Sequence, residues 1–103
     1  ITAAFTAAIQ KRLDDFAATR NYDNVTSLSK YTGLTDTELT SLPVADRPIA
    51  TRYRAECRYL LLKTAQTWAV GERILQQVQA GARPMPTSIA DIEAELPALV
   101  WPA

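Results

Sequence analysis

The stretch DRPIATRYRAECRYLLLKTAQTWAVGERILQQVQAG, residues 46–81, decides how this chain folds. Asp46 is a residue type that caps free amides, and Pro48 sits where a first helical turn tolerates a missing N–H. From there the helical pattern runs unbroken to Ala80, about ten turns at 3.6 residues each. Gly81, Pro84 and Pro86 mark its end. Within it Leu61, Thr64, Trp68, Gly71, Leu75 and Val78 step by three and four, the spacing of a seam that packs against another helix. Gly71 costs roughly 1 kcal/mol against Ala inside a helix, so its presence predicts either a kink or a close helix–helix approach.

Toward the N-terminus, Phe5, Ile9, Leu13 and Phe16 are spaced by four, four and three, with Gln10, Lys11, Asp14 and Asp15 off that line. This is the pattern of an amphipathic helix. Asn21 to Asn24 breaks it, and Asp23 is the expected N-cap of a short helix carrying Val25, Leu28 and Tyr31, closed by Gly33 in a left-handed C-cap. Thr35 and Glu38 have capping-box spacing and predict a turn of helix ending before Pro43. On the far side of the long helix, Thr87 or Ser88 is the expected cap of a last helix bearing Ile89, Ile92 and Leu96 and stopped by Pro97. The tail Leu99-Val-Trp101 is too apolar to hang in water and should dock, on this domain or on a partner. The expected fold is all-α over one domain, 1–103. An N-terminal amphipathic helix packs on one long central helix, with short helices, a C-terminal helix and an apolar tail.

The chain has 103 residues, 11 basic and 11 acidic, no His and one Cys. A net charge of zero removes any whole-molecule attraction for nucleic acid or anionic lipid. The absence of His removes imidazole acid–base chemistry, and with a single Cys it leaves no expected metal site and no cofactor. Cys57 has no base within helical reach, so it reads as a packed thiol, a tie to another chain being the alternative; an unpaired Cys fits a reducing compartment. The opening residues read poorly as a signal peptide, and no stretch approaches the ~18 apolar residues needed to span a membrane. Glu56, between Arg52 and Lys63, reads as a salt-bridged surface residue.

Charge is segregated along the chain. Arg47, Arg52, Arg54, Arg58 and Lys63 face only Glu56 in their stretch, while beyond Arg83 only acids occur, which suggests mutual attraction of the two regions, within the chain or between copies. Arg47, Arg54 and Arg58 share one helical stripe able to grip phosphate, and a nucleic-acid-binding or regulatory module is the alternative functional reading, disfavoured by the zero net charge. For protein contact the candidates are Leu61, Trp68, Leu75, Val78 and Trp101, large apolar side chains on the seam and tail.

Several segments bear on kinship: Arg20-Asn-Tyr22-Asp23, Ser27 to Tyr31, Trp68 in the long helix, Ala80-Gly81-Ala-Arg83-Pro84-Met-Pro86-Thr87, Glu95-Leu96-Pro97 and Trp101-Pro102. In this order they resemble a family of small proteins encoded beside the tail-fibre genes of tailed bacteriophages and prophages. The likeness covers most of the chain, and its C-terminal part is the most specific. Where the family carries a Trp-Arg pair early in the long helix, this chain reads Arg52-Tyr53-Arg54. The resemblance implies no enzymatic activity. It implies protein–protein work on a phage tail fibre, either as an assembly chaperone in the host cytoplasm or as a structural component of the virion tail. The implied partners are a tail-fibre or other tail protein and further copies of the chain.

Overall fold

The computed structural model describes residues 2–20, 22 and 32–102. Three α-helices occur among them, α1 (Thr2–Ala18), α2 (Asp36–Thr40) and α3 (Arg47–Gln79), followed by two 3-10 turns at Ile89–Asp91 and Glu93–Glu95. No strand is present among the described residues, and α1 packs along α3, so the all-α expectation holds. The short helix expected from Asp23 to Tyr31 lies outside the described residues.

The helix α1 buries the stripe that its spacing predicts. Phe5, Ile9, Leu13 and Ala17 are all buried and point at α3. One core cluster joins Phe5, Ile9 and Leu13 to Ile74 of α3 and to Ile92 and Leu96 beyond it. A second joins Ala17 to Cys57 and Leu60. Early residues of α1 meet the far end of α3 and late ones meet its middle, so the two helices run antiparallel.

The buried face of α3 is rotated by one residue from the expected seam. Thr64, Gly71 and Val78 lie on it or beside it, but its fully buried positions are Cys57, Leu60, Thr67, Gly71 and Ile74. Leu61 is 55% exposed, and Trp68 and Leu75 flank the core half-buried. The cause is at Gly71, where a Cβ would stand 2.9 Å from Ile9 Cδ1 and 3.9 Å from Phe5 Cε1. The two backbones approach too closely for large residues between them. Trp68 and Leu75 are therefore displaced to the flank and the smaller Thr67 occupies the interface, its hydroxyl donating to Lys63 O at 2.7 Å. Gly71 marks a close approach; α3 continues through it unbroken.

The helix ends follow their punctuation with three corrections. At α2 the capping box forms, Thr35 Oγ1 accepting from Glu38 N at 3.1 Å and Glu38 Oε1 from Thr35 N at 3.0 Å. At the end of α3, Gly81 takes φ +75°, Ala82 N donates to Gln77 O and Gly81 N to Val78 O, closing the helix in a Schellman motif. Gly33 does not take the left-handed conformation expected of it. Nor does Asp46 cap α3 with its side chain: its own backbone is helical, φ −90° and ψ −19°, because it closes a turn through Asp46 N to Pro43 O. The last helix expected from Thr87 to Leu96 is replaced by the two 3-10 turns. The Asp91 carboxylate accepts from Thr87 N, Thr87 Oγ1 and Ser88 N, and the backbone closes i→i+3 bonds, Ile92 N donating to Ile89 O and Leu96 N to Glu93 O, which tighten the segment into single 3-10 turns before Pro97.

Gly71→Ala trades a helix-propensity gain of about 1 kcal/mol against displacement of the Ile9 Cδ1 methyl. We expect little net change in urea stability. In an Ile9→Val background, which itself costs about 1 kcal/mol, the same substitution should become clearly stabilising, so the double-mutant cycle shows coupling between the two positions.

Candidate partner-binding surface

The N-terminal part of α3 extends beyond the reach of α1 and is covered by the segment Thr32–Asp46. That segment exposes carbonyls that no helix pairs, and α3 meets them with guanidinium groups. Arg58 donates to Thr32 O at 2.9 Å and Leu34 O at 3.1 Å, and Arg54 donates to Leu34 O at 3.2 Å and Asp36 Oδ1 at 2.7 Å. Arg47 donates to Leu42 O at 3.0 Å and Thr40 O at 2.8 Å. The arginine stripe read from the sequence as a phosphate grip is thus turned onto the protein's own backbone.

Glu56 is not the surface residue its neighbours suggested. It is 3% exposed, with Oε2 accepting from Arg20 Nη1 at 2.7 Å and Oε1 from the Tyr22 hydroxyl at 3.1 Å; Arg52 Nε stands at 3.8 Å. Burial first, and then the Glu56 carboxylate, push the Tyr22 phenol well above the usual tyrosine range. The Glu56 carboxylate is the anchor that ties the chain after α1 to α3.

The C-terminal acids do not reach the basic stretch of α3 either. Glu93 pairs with Arg12 at 2.9 Å, and Glu95 pairs with Arg83 at 2.8 Å. Arg12 also donates to Pro97 O at 2.9 Å, so the charges fasten the C-terminal turns to α1 and to the end of α3. The Arg83 guanidinium holds the Glu95 carboxyl below its ordinary range, and the amide and hydroxyl of Thr87 do the same for Asp91.

The apolar tail docks on this domain. Trp101 stacks on Phe16 with ring centroids 4.3 Å apart and planes 17° from parallel, and its Nε1 donates to Thr19 Oγ1 at 2.8 Å. Arg20 lies over its ring at 5.4 Å. Val100 N donates to the Tyr59 hydroxyl at 2.9 Å. Leu99 packs against the first core cluster.

Of the five residues expected at a partner surface, Trp68, Leu75 and Val78 pack against the chain's own core and Trp101 closes the second cluster. Only Leu61 stands open. It is joined by Leu62, 56% exposed, which a search for a single seam passes over because it lies a further 100° around the helix. A groove of about 790 Å³ opens nearer the start of α3, with Val44, Pro48 and Pro102 as apolar walls and Arg20, Arg47 and Arg52 around it. Val44 and Ile49, 74% and 50% exposed, add apolar surface at that end. No group of His, Cys, Asp and Glu able to hold a metal ion occurs among the described residues, and no helix there is long and apolar enough to cross a membrane.

Glu56→Gln leaves Arg20 and Tyr22 around a neutral amide and should cost about 2 kcal/mol in urea unfolding, discounted for the half-open Arg20. Trp101→Ala should cost a similar amount, about 2 kcal/mol, through loss of the Phe16 stack and its buried area. The lowered Glu38, Asp91 and Glu95 carboxyls stabilise the fold above their ordinary values, near 4, and that contribution is lost as pH falls through their lower folded values. The melting temperature should therefore drop below about pH 4, and Asp91→Asn with Glu95→Gln should flatten the drop. In comparisons with known proteins no family model matches this chain, and neither a curated protein nor a solved structure does.

Proposed function

We propose that this chain works by protein–protein contact on a bacteriophage tail fibre, as an assembly chaperone in the host cytoplasm or as a fixed component of the virion tail. The observation that carries the contact reading is the pair Leu61 and Leu62, each more than half exposed in the middle of α3. Every other large apolar residue of that helix between Cys57 and Gln79 packs against α1, the tail or the C-terminal turns. Two adjacent exposed leucines on a rigid helix are a surface that a partner stabilises by covering. The assignment of that partner to a tail fibre rests on the sequence resemblance alone.

A non-enzymatic role agrees with how the reactive groups are used. The chain has no His, Cys57 is fully buried, and Glu56 is held by Arg20 and Tyr22. For the nucleic-acid alternative, Arg47, Arg54 and Arg58 would have to leave the carbonyls they now hold.

Co-expression of the tagged chain with the neighbouring tail genes tests the proposal. The tail-fibre protein should copurify, and Leu61→Ser with Leu62→Ser should abolish copurification while moving stability by no more than about 0.5 kcal/mol. Copurification of no tail protein contradicts the reading. Mass spectrometry of mature particles separates its two forms, a fixed ratio to the fibre marking a component and absence marking a chaperone.

A further inference from the structure

We propose that the groove at the start of α3 docks an acidic, apolar-rich segment of a partner protein, with Arg52 as the anchor for its carboxylates. This names the partner chemistry of the contact surface proposed above and rests on that reading. The groove is apolar in its walls, through Val44, Pro48 and Pro102, and cationic at its edges. Three arginines, Arg20, Arg47 and Arg52, stand around it against one acid, Glu56. Glu56 is 3% exposed and already pairs with Arg20 at 2.7 Å, so it does not repel an incoming carboxylate.

The arginines differ in what they have left to offer. Arg47 is committed to two carbonyls and Arg20 to Glu56. Arg52 is 60% exposed; among the described residues its contacts are a 3.8 Å approach of Nε to Glu56 and a position over the Tyr53 ring. Its guanidinium edge therefore remains available for a bidentate carboxylate, the geometry in which arginine binds best.

Helical spacing connects the groove to the exposed leucines. Pro48, Ala55 and Leu62 are seven residues apart and fall on nearly one line along α3, about 10 Å per step. Pro48 and Ala55 line the groove and Leu62 continues the line outside it. An extended or helical segment lying on this line would set apolar side chains on Leu62, Ala55 and Pro48 and its acids beside Arg52. Apolar walls with a cationic edge suit such a peptide better than a nucleic acid, which needs a track of phosphate contacts and open aromatic faces for its bases. Here Tyr53 is covered by Arg52 and Trp101 by Phe16 and Arg20.

The test is fluorescence anisotropy of the intact chain with a labelled, end-blocked twelve-residue peptide that alternates leucine and aspartate, against a copy with asparagine in place of aspartate. Saturable binding is expected for the acidic peptide, at least tenfold weaker binding for the neutral one, and weakening of the acidic one by added salt. Arg52→Gln and Val44→Asp, the second placing a like charge on an open wall residue, should each weaken binding at least fivefold with circular dichroism unchanged. Equal binding by the neutral peptide, undiminished binding by both variants, or tighter binding of a single-stranded oligonucleotide overturns the inference. Should the acidic peptide fail to bind while tail-fibre copurification still depends on Leu61 and Leu62, the groove assignment falls and the contact function stands. Loss of both overturns both.

Discussion

A mismatch of helix lengths governs this molecule. At 1.5 Å per residue, the 33 residues of α3 span roughly 50 Å and the 17 of α1 roughly 25 Å, and the molecule measures 56 × 22 × 21 Å. One amphipathic helix cannot cover the whole of the other. The part of α3 beyond α1 is covered by the segment Thr32–Asp46, the short α2 and the turns around it, and helix ends and turns bring backbone carbonyls that need donors. Arg47, Arg54 and Arg58 supply them, each reaching from α3 to oxygens between Thr32 and Leu42. Guanidinium suits the task because it presents several donors in one plane and stays charged at any working pH.

The same logic accounts for Glu56. Where α1 ends, Tyr22 packs beside Cys57 and Leu60 and edge-on to Tyr53, and Glu56 adds the polar tie that holds both Arg20 and Tyr22 to α3. A buried carboxylate accepts from both, and the Trp101 ring lies under Arg20 and on Phe16, closing the second core cluster from the other side. A buried ion pair stabilises less than well-packed apolar residues would, but it fixes one geometry at a junction of three chain segments.

Much of the fold was legible from particular residues. Phe5, Ile9 and Leu13 marked the buried stripe of α1, Thr35 and Glu38 the start of α2, and Gly81 the end of α3, because each depends on local chemistry. The face of α3 was less so. The lines Leu60-Thr67-Ile74 and Leu61-Trp68-Leu75 have the same spacing, and apolarity favours the second; the close approach at Gly71 selects the first because it excludes an indole. The arginine stripe was visible as a stripe, but its partners are backbone carbonyls, five and seven residues away for Arg47 and twenty or more for Arg54 and Arg58, which no side-chain pattern encodes. The C-terminal segment has the spacing and cap of a helix, but its backbone closes i→i+3 bonds, Ile92 N donating to Ile89 O and Leu96 N to Glu93 O, a choice that side-chain spacing does not encode. Of the proposed contact surface, Leu61 is named by the sequence; Leu62 and the groove required the fold.

Among the described residues, the surface left after these internal demands includes the adjacent leucines 61 and 62 of α3 and, at the start of that helix, a groove with Arg52 at its edge. The proposed contact function needs that surface held in place, and the cover over the first turns of α3 is held by the arginine–carbonyl ties. Hydrogen exchange of the Arg54→Ala, Arg58→Ala double variant tests this most directly. The account predicts that amides in the segment 32–42 lose at least about tenfold in protection, while those of α1 and of α3 beyond Cys57 keep theirs. Unchanged protection of 32–42, or a uniform loss across the molecule, would contradict it.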